Sequence, residues 1–167
     1  CVDPPPIAPL LIAGGMGLVP LVHLAQTLAG LGVGSTLVIG FRSKEDLLEL
    51  ETLFARTGAD RFRWPPEVRL YTEDGSAGGR GTALDGARSA LEAGNHDVIY
   101  SCGPRPMMRE LAGLAARCGI RCQVSLEERM ACGIGVCLGC AVRASRSGEH
   151  CAGGFSRVCA DGPVFWT

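Results

Sequence analysis

Short apolar runs alternate with helix-like segments over the first three quarters of this chain, and this alternation constrains its fold more than any other feature. Segments such as LVPLVHLAQTLAGLG carry apolar residues at helical spacing. Strands that alternate with helices pair in parallel, because each crossover returns the chain to the same end of the sheet. The sequence therefore predicts an α/β fold, with a five-stranded parallel doubly wound domain over residues 1–126. Its predicted strands are PLLIAGG, STLVIGF, EVRLYT, HDVIYSCG and IRCQVSL.

The C-terminal quarter of the chain has a different pattern, which begins at Glu127. Residues 127–167 contain no long amphipathic segment and are rich in glycine and cysteine, with only CAVRAS, FSRVC and PVFW resembling strands. About 40 residues of this composition bury too little apolar surface to be stable by packing alone. This pattern predicts a second, small cysteine-rich domain over 127–167 that a metal centre or covalent bonds hold together.

Three cysteines of this second segment lie in MACGIGVCLGC with the spacing C-x4-C-x2-C. That spacing, with a fourth cysteine further along, is typical of plant-type [2Fe–2S] ferredoxins, whereas zinc sites usually pair two C-x2-C units. The candidate ligands are Cys132, Cys137 and Cys140, with Cys151 or Cys159 as the fourth. We expect Cys159, because it ends an apparent strand, whereas Cys151 lies in the loop-like SGEHCAGG. A zinc site and disulfides are the alternatives.

Glycine-bearing loops follow three of the predicted strands: GGMGLVP, TEDGSAGGRG and SCGPRP. The carboxyl ends of parallel strands meet at one edge of the sheet, where open α/β sheets bind their ligands. Glycine there lets the backbone approach a pyrophosphate at a helix N-terminus. These loops together predict a nucleotide site, in which Glu73 and Asp74 are candidates to accept hydrogen bonds from ribose hydroxyls. GGMGLVP lacks the G-x-G-x-x-G fingerprint, so a turn that only packs helix on strand is the alternative.

Charge and hydropathy bear on the partners of the chain. The formal net charge is -1 and no run of Lys and Arg is present, so we expect no nucleic-acid partner. No apolar run reaches the roughly 20 residues of a membrane-spanning helix, so we expect no membrane association. The nine cysteines are an odd number concentrated in the last third, which favours a reducing compartment, and we expect a cytoplasmic location.

The sequence closely resembles the electron-transfer subunits of NAD-linked, class 1B dihydroorotate dehydrogenases, which belong to the ferredoxin reductase-like flavoproteins. The matching stretches occur in the family's order and touch nearly the whole chain: AGGMGLVPL, GFRSKEDL, TEDGSAGGRG, YSCGPRPMM, SLEERMACGIGVCLGC and RVCADGPVF. The resemblance implies that NADH passes a hydride to FAD, and that a [2Fe–2S] cluster relays single electrons to FMN in a dihydroorotate dehydrogenase catalytic subunit of pyrimidine biosynthesis. It also implies a heterotetramer of two catalytic and two electron-transfer subunits.

The resemblance also implies roles for particular residues. It assigns the cluster to Cys132, Cys137, Cys140 and Cys159. It assigns nucleotide contacts to the three glycine-bearing loops, with the third loop facing the nicotinamide. We expect Cys102 in that loop to position the nucleotide and not to act as a nucleophile, and we assign no catalytic residue. The nucleotide contacts are Gly14, Gly15 and Gly17; Thr72, Asp74, Gly75 and Ser76; and Cys102, Gly103 and Pro104.

One departure from the family concerns the flavin. The family has an FAD-binding β-barrel before its nucleotide domain, and nothing precedes Cys1 here to supply it, so we expect a fragment of a protein of roughly 260 residues. Such a fragment would oxidise NADH weakly or not at all. We expect NADH in preference to NADPH, because Arg42 alone, and no basic pair, stands where a 2′-phosphate would bind. The alternatives are a related NAD(P)H reductase module that feeds ferredoxin or another flavoprotein, and a zinc-stabilised nucleotide-binding module.

Overall fold

The first part of the chain forms alternating strands and helices. The structure, a computed structural model, describes residues 6–48, 67–143 and 154–167. Strand β1 (Pro9–Gly14) leads through a 3-10 turn (Gly15–Gly17) into helix α1 (Leu18–Gly30). Residues 44–48 are helical, and the rest of the helix predicted there lies outside the described residues. The further elements are β2 (Thr36–Phe41), β3 (Glu67–Thr72), β4 (Gly79–Arg80), α2 (Ala83–Ala93), β5 (Val98–Cys102), α3 (Arg105–Cys118) and β6 (Arg121–Ser125).

A seven-stranded sheet forms the centre of the molecule, in the order β4-β3-β2-β1-β5-β6-β9, where β9 is Val164–Trp166. The five predicted strands are present as β1, β2, β3, β5 and β6, and all pair in parallel. The short β4 extends one edge in parallel, and β9 extends the other edge antiparallel to β6. The predicted doubly wound α/β fold is therefore confirmed. The strand order reverses at β1, which pairs with both β2 and β5, and ligands of such sheets bind at this reversal.

Both faces of the sheet are covered, which explains why its central strands are almost continuously apolar. Along β1, Leu11 and Ala13 pack toward α1, whereas Leu10 and Ile12 pack toward α2 and α3. Each fully buried leucine contributes roughly 1.5–3 kcal/mol. The apolar packing on both faces of the sheet fixes the positions of the strands, so that their carboxyl ends lie along one edge. No helix of the described residues is long and apolar enough to span a membrane.

The C-terminal segment forms a small unit that is joined to the main sheet. A hairpin of β7 (Ala141–Arg143) and β8 (Phe155–Arg157) is followed by the helical turn α4 (Val158–Asp161) and then by β9. Its core is small, with Cys140, Val142 and Val158 buried together. Strand β9 pairs with β6 through three residue pairs, so this segment completes the edge of the sheet.

The expected position of Cys159 at the end of a strand is wrong. Strand β8 ends at Arg157, and Cys159 lies inside α4. The chain turns there because the carboxylate of Asp161 accepts a hydrogen bond from the backbone N–H of Arg157 at 2.7 Å. That contact closes one helical turn and directs the chain back toward the cysteine loop.

Candidate cofactor sites

A cavity of about 800 Å³ opens at the carboxyl ends of β1 and β2, beside α2 and α3. Its volume lies in the range of small-molecule sites, and it occupies the reversal point of the sheet, where nucleotides bind in this class of fold. Of the predicted nucleotide contacts, Gly14, Gly15 and Pro104 line it. The first and third glycine-bearing loops thus meet at one cavity.

Three glycines are required where these loops meet. Gly15 has a φ of 53°, in the left-handed region that favours glycine. Gly17 caps α1, and a Cβ atom there would lie 2.1 Å from the carbonyl oxygen of Cys102. Gly103 has a φ of 151°, and a Cβ atom there would lie 2.9 Å from the backbone nitrogen of Gly14. Gly15, Gly17 and Gly103 therefore bring the ends of β1 and β5 together, and of these three glycines only Gly15 lines the cavity.

The second glycine-bearing loop is held by its own side chains. The hydroxyl of Thr72 is buried; it donates to the carbonyl of Ala77 at 2.7 Å and accepts from the N–H of Ala77 at 3.0 Å. Asp74 accepts hydrogen bonds from the Ser76 hydroxyl and N–H at 2.6 and 2.9 Å, and these bonds hold the pKa of the Asp74 carboxyl below its usual range. Gly75 has a φ of 77° at the turn between them.

That loop presents a different residue to the cavity from the ones predicted. Within the described residues, Thr72, Asp74, Gly75 and Ser76 do not line the cavity, whereas Glu73 does. The Ser76 hydroxyl instead accepts a hydrogen bond from the N–H of Lys44, which ties the loop to the helical residues after β2. The four predicted residues support the loop that carries Glu73.

Cys102 ends β5 and is buried, with 1% of its surface exposed. Burial raises the pKa of its thiol, and a hydrogen bond with Ser125 partly opposes that rise. A thiol with a raised pKa stays protonated at neutral pH, which is unsuited to nucleophilic attack. Its side chain packs in the core on the α1 side of the sheet, whereas the cavity opens beside α2 and α3.

The sequence reasoning missed several residues of the cavity. Met16, Asp46, Met107 and Glu110 line it, as does Thr82 at the start of α2. The signal for Thr82 was present, because Thr-x-x-Asp before an apolar helix is a capping box, and the reciprocal bonds of Thr82 with Asp85 form one. Arg42 also lines the cavity, together with the three carboxylates of Asp46, Glu73 and Glu110.

The cysteine loop between Ala131 and Cys140 folds through left-handed backbone positions. Gly133 and Gly135 have φ angles of 70° and 83°, and Leu138 has a φ of 58°. This path turns backbone N–H groups toward sulfur. The N–H of Cys137 points to Sγ of Cys132, and the N–H of Gly139 points to Sγ of Cys137, both at 3.4 Å.

The same arrangement joins the distant fourth cysteine to the loop. The N–H of Cys159 donates to Sγ of Cys140 at 3.4 Å, although the two residues are 19 positions apart. Because the N–H groups of Cys137, Ile134 and Val136 donate to Cys132, the pKa of its thiol falls to about 6. The N–H and thiol of Cys159 lower the pKa of Cys140, while sharing that proton raises the pKa of Cys159.

The contacts join these cysteines two by two: Cys132 with Cys137, and Cys140 with Cys159. Within the described residues, no three His, Cys, Asp or Glu side chains are arranged around a single metal ion, and seven cysteines are free of disulfides. Two pairs of thiolates with N–H donors at their sulfurs are what the two irons of a [2Fe–2S] cluster require. The residues present fit that group. Cys151 lies outside the described residues.

The fold and both sites define a class of protein, in which a nucleotide-binding α/β domain is joined to a cysteine-ligated centre. Residues 11–112 match the family of oxidoreductase NAD-binding domains, and residues 127–167 match the iron–sulfur cluster binding domain of dihydroorotate dehydrogenase B. The chain belongs to the oxidoreductase NAD-binding family and carries an iron–sulfur cluster binding domain of the dihydroorotate dehydrogenase B type.

Curated relatives confirm the predicted resemblance. The chain is 36% identical over 157 residues to the electron transfer subunit of dihydroorotate dehydrogenase B (NAD(+)) of Caldanaerobacter subterraneus subsp. tengcongensis, with 94% of this chain and 56% of that protein covered. It is 41% identical over 158 residues to the subunit of the same name from Bacillus caldolyticus, with 93% and 54% covered. The chain thus spans about half the length of the curated relatives it matches.

A solved structure supports the same fold. The chain matches the structure of an NADH-dependent reduced ferredoxin-NADP oxidoreductase, studied for flavin-based electron bifurcation, with a TM-score of 0.75 and 29% identity. The match covers 95% of this chain and 52% of that one. At the level of these domain families, the predicted iron–sulfur and NAD cofactors are confirmed.

Proposed function

We propose that this chain carries electrons from NADH, by way of FAD, to a [2Fe–2S] cluster and then singly to the FMN of a dihydroorotate dehydrogenase catalytic subunit in pyrimidine biosynthesis. The observation that carries the proposal is the two-by-two pairing of Cys132 with Cys137 and of Cys140 with Cys159. A second observation supports it: a cavity of about 800 Å³ opens at the reversal point of the sheet, where nucleotides bind in this class of fold. The proposal places the protein in the cytoplasm, in a heterotetramer of two subunits of each kind.

The proposed ligands of the cluster are Cys132, Cys137, Cys140 and Cys159. When bound, an iron–sulfur cluster accepts and releases one electron at a time. The chain's own contribution is to hold the four sulfurs in pairs and to direct backbone N–H groups at them, which stabilises thiolate charge. The lowered pKa of Cys132 favours its deprotonated thiolate at neutral pH, which is the form that binds metal.

Some residues of the proposed nucleotide site line the cavity, and others hold the loops that form it. Gly14, Gly15 and Pro104 line the cavity, where backbone can approach a pyrophosphate. The carboxylates of Glu73, Asp46 and Glu110 line the same cavity and favour a ribose hydroxyl over a 2′-phosphate, which supports the preference for NADH. The supporting residues are Gly17, Thr72, Asp74, Gly75, Ser76, Cys102 and Gly103.

We also propose a division of the chain into a nucleotide-binding domain over 1–126 and a cluster-binding domain over 127–167. Residues 1–167 by themselves are expected to oxidise NADH slowly or not at all, because the resemblance assigns FAD to a separate barrel domain. A flavin is needed to accept the hydride of NADH and to pass its two electrons one at a time to the cluster. Mixing the chain with NADH and an artificial one-electron acceptor, with and without added FAD, tests this expectation. Rapid turnover without FAD would contradict it.

The cluster is tested first by composition. Anaerobically purified protein should contain about two irons and two acid-labile sulfides per chain and absorb in the visible, since iron–sulfur sites are coloured and zinc sites are not. Cys159→Ser should lose that absorbance, and Cys151→Ser should keep it. One zinc and no colour would refute the electron-transfer proposal. Loss of the cluster in Cys151→Ser alone would move the fourth ligand to that residue.

A second candidate differs only in the electron acceptor. The likeness to an NADH-dependent reduced ferredoxin-NADP oxidoreductase favours a module that exchanges electrons with ferredoxin. Stopped-flow mixing of the reduced chain with an FMN-bearing dihydroorotate dehydrogenase catalytic subunit, and separately with a plant-type ferredoxin, distinguishes the two. Faster reoxidation by ferredoxin would favour the second candidate.

A further inference from the structure

Arg157, the last residue of β8, connects the cysteine loop to α4. Its Nη1 donates to the carbonyl oxygen of Gly135 at 2.9 Å. Its Nε and Nη2 donate to the two carboxylate oxygens of Asp161, at 3.0 and 2.9 Å. The Asp161 side chain is only 6% exposed, so this fork-shaped ion pair is shielded from water on its acidic side. The guanidinium is therefore held in one orientation.

Arg157 contacts the loop that carries one cysteine pair and lies close in sequence to a member of the other pair. Gly135 is in the loop between Cys132 and Cys137, and Arg157 is two residues before Cys159 along the chain. The Nη1 atom of Arg157 reaches the backbone of the loop that carries Cys132 and Cys137, and the N–H of Cys159 donates to Sγ of Cys140. The cation of Arg157 thus lies within electrostatic reach of the candidate ligands.

Gly135 makes this close contact possible. A Cβ atom there would lie 2.9 Å from Cβ of Ala160 and 3.1 Å from Nη1 of Arg157. Gly135 also has a φ of 83°, a backbone conformation that residues with a side chain rarely adopt. The loop is therefore built so that the guanidinium reaches it.

We propose that the Arg157–Asp161 ion pair sets the reduction potential of the iron–sulfur cluster. The inference rests on the proposed function only for the presence of that cluster. Reduction adds one electron to the cluster and neither forms nor breaks a bond with the protein. The added negative charge is stabilised by the cation of Arg157 and opposed by the anion of Asp161, and the burial of Asp161 limits how far water screens the pair. Both residues act through position and charge.

The test is a potentiometric titration of the full chain, followed by the electron paramagnetic resonance signal of the reduced cluster. Arg157→Gln should shift the reduction equilibrium about tenfold toward the oxidised state, which is about 59 mV lower for a one-electron couple. Asp161→Asn should shift it in the opposite direction. Arg157→Lys, which keeps the charge, should stay nearer to the unaltered protein. Arg88→Gln is the matched control, because Arg88 lies on α2 and pairs with Asp85.

The opposite potential shifts expected for Arg157→Gln and Asp161→Asn distinguish an effect of charge on the cluster from a loss of loop structure. If the ion pair only held the loop in place, Arg157→Gln and Asp161→Asn would change the potential in the same direction or leave it unchanged, and either result would overturn the proposal. Should Arg157→Gln fail to retain iron, the titrations of Asp161→Asn and Arg157→Lys decide. Unaltered protein without iron and sulfide would refute the proposed function itself, whereas an intact cluster with unmoved potentials refutes only this inference.

Discussion

Single residues determine how closely the loops of the nucleotide site approach each other. Gly17 is buried between the end of β1 and the end of β5, against the carbonyl oxygen of Cys102. The contact is to backbone, which cannot rotate away as a flexible side chain does. This position therefore tolerates no side chain without a shift of one strand end.

We predict that Gly17→Ala destabilises the protein by about 1–3 kcal/mol, because the new methyl group overlaps the backbone of Cys102. Chemical unfolding of the full chain, with circular dichroism as the readout, measures the change. Gly30→Ala is the matched control on the same helix. A Cβ there meets nothing within 4 Å, so it should be neutral or slightly stabilising. Equal stability of the two variants would contradict the prediction.

A second prediction at this scale concerns the choice of nucleotide. Glu73 lines the cavity and its carboxylate should repel a 2′-phosphate, so Glu73→Gln should shift the ratio of NADPH to NADH affinity about tenfold, or about 1.4 kcal/mol, toward NADPH. Titration of the full chain with each nucleotide, followed by calorimetry, measures it. Glu92→Gln, on the exposed face of α2, should leave the ratio unchanged. An unchanged ratio in Glu73→Gln would move nucleotide selection to another residue.

At the scale of elements, two glycines allow α2 to pack closely against the sheet. Gly40 at the end of β2 allows the start of α2 to approach, since a Cβ there would lie 2.6 Å from the N–H nitrogen of Ala83. Gly86, about one turn later on α2, packs against β2 in the same way, since a Cβ there would lie 2.5 Å from Cγ1 of Val38. The capping residue Thr82 consequently lies at the cavity. The helix that supports the site thus begins at it.

Thr82→Ala should loosen the first turn of α2. The variant loses the two hydrogen bonds that the Thr82 hydroxyl makes with the carboxylate and the N–H of Asp85, and N-caps of this type contribute about 1 kcal/mol. Hydrogen exchange of the α2 amides should become about fivefold faster in that turn. Ser89→Ala, in the exposed middle of the same helix, serves as the control and should not accelerate exchange. Unchanged exchange in Thr82→Ala would mean that packing alone holds the turn.

For the molecule as a whole, the cysteine loop is both attached to the sheet and open to a partner. Strand β9 pairs with β6, which fixes the cluster-binding segment against the nucleotide-binding domain. On its outer side the loop exposes Ile134, Val136 and Leu138, by 75%, 75% and 64%. Apolar side chains clustered on a surface mark interaction sites. In the proposed function this surface faces the electron acceptor.

We predict that Val136→Glu slows electron transfer to the catalytic subunit at least tenfold while the iron content stays unchanged, because a charge would be buried at the interface. Stopped-flow reoxidation of the reduced chain, with iron analysis of the same sample, measures both. Ile7→Glu is the matched control, since Ile7 is 88% exposed and lies two residues before β1, at the opposite edge of the sheet from the carboxyl end of β6 that leads to the loop. Equal rates in the two variants would place the acceptor elsewhere.

Local patterns in the sequence determined the alternation of strands and helices, the α/β class and the four candidate cysteines, because periodicity and spacing depend on neighbours along the chain. The tertiary structure decided which sheet face each residue meets: Cys102 lies on the side away from the cavity, and Glu73 lines it while Asp74 supports the loop. It also decided that Arg157 reaches Gly135, 22 residues away. Such contacts depend on the packing of elements distant in sequence, which no local pattern records.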